Sequence, residues 1–297
     1  MKKTLAMMTA AMMVAGALAG CGSSGSTPAA TTAATTAAAT EAATTATATT
    51  EAAGDTAAAA EGTVKTPSGN FTVGFDQEFP PMGFVGDDGQ FTGFDLDLAK
   101  EVASRLGLEF VPQPINWDAK DMELDSGNID CIWNGFTMQG REDAYTWVGP
   151  YMANNQVFVV NADSDIASKA DLAGKAVEVQ KDSSGLAALQ GETELSASFG
   201  SLTEVADYNT ALMDLESGAC DAVCMDSIVA GYQITSSGKD MKILDDTLSA
   251  EEYGIGFKKG EDELAKAVYD TLMEMKDDGT VAKISNDWFG SDVFTLK

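Results

Sequence analysis

The segment Met122-Glu123-Leu124-Asp125-Ser126-Gly127-Asn128-Ile129-Asp130-Cys131-Ile132 returns 91 residues later as Met213-Asp214-Leu215-Glu216-Ser217-Gly218-Ala219-Cys220-Asp221-Ala222-Val223. One unit repeated at this distance calls for two bodies of like topology rather than a single continuous core. In each copy an amphipathic helix ends at a glycine suited to the left-handed C′ position, and an aspartate then opens a short apolar strand. Aligning the copies sets Gly135 against Asp226, both just past a strand's carboxyl end. In open α/β sheets ligands bind there.

The rest of the body alternates strand-like and helix-like runs, which is an α/β pattern. Phe71 to Asp76 reads as extended, and Asp95 to Leu106 as a helix with Leu98, Val102 and Leu106 on one face. Lys175 to Gln180 reads as a strand leading into a helix that starts at Ser183-Ser184. Glu261 to Met275 is helical, with Leu264, Val268 and Leu272 aligned. Strands Gln156 to Val160 and Tyr253 to Phe257 flank the middle third and are the natural crossovers. The expected lobes are therefore 66–158 plus 252–297 for lobe 1 and 159–251 for lobe 2. Together they hold about 230 residues, more than a typical single core.

The N-terminus has a different character. Lys2 and Lys3 precede an apolar run from Leu5 to Ala19, the form of an export signal over residues 1–20. The run is shorter than the roughly 18 to 20 apolar residues that span a bilayer. Leu18-Ala19-Gly20-Cys21 resembles the bacterial lipoprotein box, which implies cleavage before Cys21 and acylation of its thiol. Residues 21–65 are then a tether of Ala, Thr, Ser and Gly, whose only charges up to residue 64 are Glu41, Glu51, Asp55 and Glu61. Such a segment lacks the apolar side chains to offset the entropy of ordering. As a coil it reaches roughly 35 to 40 Å.

The formal net charge of −28 excludes nucleic acid and anionic lipid surfaces as partners. The chain has no histidine, which rules out a Cys/His zinc site and any Ser-His-Asp or Cys-His mechanism. No cofactor is expected. Beyond Cys21, the thiols of Cys131, Cys220 and Cys224 read as core residues. A disulfide from Cys131 to Cys220 or Cys224 is the alternative.

Gly93-Phe94-Asp95-Leu96-Asp97-Leu98, followed by Val102-Ala103 and Leu106, resembles the signature of the polar amino-acid family of bacterial solute-binding proteins, which serve ABC importers. The likeness spans roughly residues 70 to 296. It takes in Gly74-Phe75-Asp76 with Phe79-Pro80-Pro81-Met82-Gly83-Phe84, the turn from Gly135-Phe136-Thr137 to Arg141, Pro150-Tyr151, Val177 to Ser184, and Asp221 to Asp226. It implies a two-lobed α/β fold of the periplasmic-binding-protein type II, with the ligand in the cleft. It also implies a monomer that delivers an amino acid to a membrane permease and its ATPase at the outer face of the cytoplasmic membrane. Asp95 and Asp97, taken alone, read as helix N-terminal carboxylates that complement the dipole.

A zwitterion needs a cation and donors for its carboxylate and an anion for its ammonium. By resemblance, Arg141 grips the carboxylate, helped by the Thr137 hydroxyl, by backbone N–H groups near Gly135, and by Ser184 across the cleft. Asp226 takes the ammonium. Asp76, Phe79 and Trp117 line the side-chain pocket, with Asn134 at its edge, whereas strand alternation turns Trp133 into the core. Each role has a plainer alternative: an ion pair of Arg141 with Glu142 or Asp143, helix capping by Ser183-Ser184 or by Asp226, and core packing of Phe79 and Trp117. Whole-chain alternatives are a sensor module and a dehydratase-like enzyme using Asp76 or Glu78. Two features depart from the family pattern. Gly135 to Arg141 is one residue shorter than usual, with Gly140 available to tighten the turn. Gln180-Lys181-Asp182-Ser183-Ser184 carries Asp182 where glycine is typical, so its carboxylate is expected to point outward or to pair with Lys181.

Overall fold

The computed structural model describes Thr66 and residues 68–297. The export signal, Cys21 and the tether lie outside the described residues. The chain begins with β1 (Asn70–Phe75), the small strands β2 (Glu78–Phe79), β3 (Gly83–Val85) and β4 (Phe91–Thr92), α1 (Phe94–Leu106) and β5 (Glu109–Pro114). Next come α2 (Lys120–Ser126), β6 (Cys131–Thr137), β7 (Tyr145–Asn161), β8 (Ala176–Gln180), α3 (Ser184–Gly191), α4 (Thr193–Ser198) and β9 (Ser201–Val205). The remainder is α5 (Tyr208–Ser217), β10 (Ala222–Asp226), α6 (Ser227–Ser237), β11 (Met241–Ile243), β12 (Ser249–Lys258), α7 (Asp262–Asp277) and α8 (Thr280–Phe289).

The main sheet runs β5-β1-β6-β12-β7-β10-β8-β9, with β11 paired to β7. Two parallel triplets, β5-β1-β6 and β10-β8-β9, therefore flank a central antiparallel pair. Strands buried on both faces need near-continuous apolar runs, and every residue of β6 and of β10 is buried.

The internal repeat is built from matching bonds. After α2, Gly127 (φ 76°) donates to Leu124 O and Asn128 to Glu123 O; after α5, Gly218 (φ 77°) donates to Leu215 O and Ala219 to Asp214 O. Both are Schellman caps, in which glycine carries the left-handed turn without a Cβ clash. The aspartates then dock their strands. Asp130 N–H donates to Thr72 O on β1 while its carboxylate accepts from Thr72 N–H, and Asp221 does the same with Ala176 on β8. In each half, one side chain and one peptide group set the register of a parallel pair.

The two central strands are longer than the sequence suggests. β7 runs for 17 residues and pairs with β12 from Tyr145 to Gln156 and with β10 and β11 from Gln156 to Asn161. Up to Asn155 it pairs with β12 alone, and β10 joins it from Gln156 onward. Beyond β12 the chain returns to the first half. The Phe289 ring meets Phe94 of α1 edge-on at 5.1 Å, and Arg105 of α1 pairs with Asp278 at 2.7 Å.

Cys131, Cys220 and Cys224 are all buried and unbonded, so no disulfide joins Cys131 to either of the others. Burial pushes the thiols up from their ordinary value, that of Cys220 to about 12. They behave as small core residues. Trp133 is fully buried, edge-on to Tyr151 at 6.4 Å.

Candidate functional site

Four strands end at one place. The carboxyl ends of β1, β6, β8 and β10 bring Asp76, Thr137, Gln180 and Asp226 to the line where the two parallel triplets meet. Phe79, Trp117, Gly135, Thr137, Arg141, Ser184 and Asp226 face one small space there, joined by Gln180 and Ser183, and Thr137, Arg141, Ser183 and Ser184 also line a groove of about 460 Å³ beside it. The small space measures only about 10 Å³, close to the room one water needs. The walls are thus closed on one another.

Polar bonds hold them so. Thr137 Oγ1 stands 3.2 Å from Ser184 Oγ, and Gln180 Nε2 donates to Asp76 Oδ2 at 2.7 Å. At the rim Lys181 pairs with Asp118 at 2.5 Å and the buried Lys120 pairs with Asp182. The pairing expected between Asp182 and Lys181 does not occur, because each reaches across the cleft to a residue of the first half. Asp182 keeps a left-handed φ of 55° at this glycine-typical position. Aspartate tolerates that region better than most residues do.

Arg141 follows a turn closed by its own N–H on Met138 O at 3.0 Å, with Gly140 at φ 80°. Its guanidinium donates to Thr137 O (3.2 Å) and Asp182 O (3.3 Å) and lies 5.1 Å from the centre of the Phe136 ring. Among the described residues no carboxylate lies within ion-pair distance of it, so the alternative pairing with Glu142 or Asp143 is absent. Ser183, not Ser184, caps α3, its Oγ accepting from Leu186 N–H at 3.0 Å. The Ser184 hydroxyl is left to the cleft, where Gln156 Nε2 donates to it at 3.1 Å.

Asp226 stands at the N-cap position of α6 but makes no capping bond. The capping alternative fails because Asn154 Oδ1 receives the helix N–H of Ile228 instead, while Asn154 Nδ2 and Tyr253 OH each donate to Asp226 Oδ1 at 2.7 Å. Burial, and secondly the charge of Glu251, push the Asp226 carboxyl up to about 8.

Two expectations need correction. The N–H of Gly135 is not free, since it donates to the wholly buried Asp95 at 2.7 Å, to which Tyr151 OH also donates. Asp95 stands in the first turn of α1, where a carboxylate complements the dipole, and is also an interior anchor whose carboxyl burial pushes up to about 7. Asn134 is not at the edge of the cleft. Its Oδ1 accepts from Asp76 N–H and its amide nitrogen faces Gly83, where a Cβ would come within 2.8 Å. Asp76 lies in the adjoining groove with Glu78, Asp118 and Lys181, and burial pushes its carboxyl up to about 6.

Phe79 and Trp117 serve wall and core together. The Phe79 ring lies 5.9 Å from that of Tyr208, and Trp117 meets Phe136 edge-on at 5.5 Å. Asn154, Gln156 and Glu251 complete the polar network and were not foreseen. The one signal for Glu251 is its two-residue spacing from Tyr253, Ile255 and Phe257, which puts all four on the buried face of β12.

The family model of the bacterial extracellular solute-binding proteins, family 3, matches residues 71–291. The chain belongs to this family. The L-cystine-binding protein TcyJ of Escherichia coli K12 is 32% identical over 231 residues, covering 76% of this chain and 84% of that protein. The L-cystine-binding protein TcyA of Bacillus subtilis is 33% identical over 229 residues, 76% of this chain and 83% of that one. Among solved structures, the substrate-binding protein of an ABC uptake transporter from Streptococcus pneumoniae with bound histidine matches with a TM-score of 0.74 and 34% identity. It covers 77% of this chain and 95% of its own. As a family 3 solute-binding protein the chain has the two-lobed α/β fold of type II periplasmic binding proteins, with the cleft between the lobes.

Proposed function

We propose that this family 3 protein captures an amino acid between lobe 1 (66–158 plus 252–297) and lobe 2 (159–251) and hands it to an ABC permease and its ATPase. Cys21 carries the lipid anchor, and the tether 21–65 keeps the body near the outer face of the membrane. One observation carries the amino-acid reading. Arg141 and Asp226 line the same closed space, yet among the described residues neither has an ion-pair partner. A zwitterion supplies both missing charges.

Arg141 and Thr137 receive the carboxylate from lobe 1 and Ser184 from lobe 2, and Asp226 receives the ammonium. Phe79, Trp117, Gly135 and, from the adjoining groove, Asp76 shape the rest, with Asn134 behind Asp76 accepting its N–H. Contacts that join the lobes are better made in the closed form, and only such contacts shift an open/closed equilibrium. β7 and β12 pass between the lobes and act as the hinge.

Thermal denaturation of the exported chain with each of the twenty amino acids and cystine tests the reading. A ligand at 100 times its Kd stabilises the native state by about 2.7 kcal/mol, so at least one of them raises Tm by several degrees. A panel with no shift contradicts it.

A further inference from the structure

Glu251 gathers the site from the hinge side. Its Oε1 accepts from Thr137 Oγ1 at 2.9 Å, Asn154 Nδ2 at 2.6 Å and Gln156 Nε2 at 2.9 Å, with Ser184 Oγ at 3.4 Å. The same Asn154 nitrogen donates to Asp226 Oδ1 at 2.7 Å. One amide nitrogen thus holds two carboxylate oxygens within about 5 Å of each other, and the residues are only 5% and 3% exposed.

No cation offsets them: among the described residues no lysine or arginine lies within ion-pair distance of either. Tyr253 on β12, Tyr208 on α5 and Cys224 on β10 also face the pair. All three are neutral groups pushed up by burial first and by these carboxylates next. Arg141 spends its bonds on Thr137 O and Asp182 O. A carboxyl as buried as Asp226, with a second carboxylate this close, holds its proton more tightly than one in water.

We propose that Asp226 keeps a proton beside the Glu251 carboxylate until a ligand docks, and that the ligand's ammonium group displaces that proton to solvent. The inference rests on the cleft being an amino-acid site. The step balances. A carboxyl O–H bond breaks, its proton goes to water or buffer, and ammonium N–H groups take its place against the oxygens. The pair passes from −1 to −2, and the ammonium returns the local charge to −1. Glu251 is then a positioning residue: it sets the protonation of Asp226 and orients the Thr137 and Ser184 hydroxyls. The upward displacement of Asp226 to about 8 has the same sense.

The test is calorimetric titration of the exported chain at pH 7 with the amino acid found by thermal shift, in phosphate and in Tris, whose ionisation enthalpies differ widely. Nearly one proton is released per ligand. Affinity falls ~20-fold between pH 8.5 and pH 6.5, as expected for one group titrating near 8. In Glu251→Gln the release falls and the pH slope flattens, while Glu251→Asp keeps both. Equal heats of binding in the two buffers for the unaltered protein overturn the inference and leave the amino-acid site standing. So does an undiminished release from Glu251→Gln. Absence of binding by every amino acid removes both.

Discussion

Replacing Arg141 with alanine lowers ligand affinity by at least about 100-fold and leaves the melting temperature nearly unchanged. The guanidinium is aimed by Thr137 O, Asp182 O and the Phe136 ring, so little of its orientation has to be gained at the moment of binding. Each charge-assisted hydrogen bond contributes roughly 1.5 to 3 kcal/mol net, and a two-pronged contact with a carboxylate makes two of them. The fold loses two long carbonyl contacts and the contact with the Phe136 ring, all from a half-buried side chain. Arg141→Lys does not restore binding, because an ammonium cannot grip both carboxylate oxygens in one plane. Titration calorimetry and thermal denaturation check this together. Binding by Arg141→Ala within a few-fold of normal removes Arg141 from the site.

Asp226→Asn is expected to move affinity and stability in opposite directions. Affinity falls by about 100-fold or more, since a neutral amide gives an ammonium no counter-charge in a water-excluded site. Stability rises. In the unfolded chain an aspartate titrates near 3.9, but in the fold burial and the charge of Glu251 hold Asp226 near 8. Between these values the native state keeps a proton that the unfolded state has lost. Its contribution is fully present below about pH 4 and is lost as the pH rises through the folded value. Asp76, near 6, and Asp95, near 7, act in the same sense. The protein therefore melts several degrees higher at pH 5 than at pH 8, and Asp226→Asn removes part of that decline. A mutant that binds normally, or a melting temperature that rises from pH 5 to pH 8, contradicts the assignment.

Much of the fold was legible because its signals are local. Gly127 and Gly218 end helices by their own conformational freedom, and Asp130 and Asp221 each pin a neighbouring strand with the side chain and the peptide group of one residue. Arg141 was legible as one of few basic residues beside a strand end. The network behind the cleft was not. Asn154, Gln156 and Glu251 sit on β7 and β12, where they meet Asp226 and Thr137 only because those strands are wedged between the two triplets. Their sequence neighbours say nothing of that meeting. Asp182 shows the same limit: the carboxylate looked costly next to an anion site until Lys120 was found across the cleft. Gly135 illustrates the reverse, for backbone N–H groups near it are expected to meet a ligand and its own N–H is consumed by Asp95.

The cleft is expected to read both charges of an amino acid at once. The most direct measurement of this is calorimetric titration of the exported chain with the amino acid that gives the largest thermal shift, set beside its α-carboxamide and its N-acetyl derivative. The carboxamide lacks the charge proposed to meet Arg141, and the N-acetyl compound lacks the charge proposed to meet Asp226 and Glu251. Both derivatives are expected to bind at least about 100-fold more weakly than the parent. Binding of either within a few-fold of the parent would show that the corresponding end of the cleft does not recognise a charge.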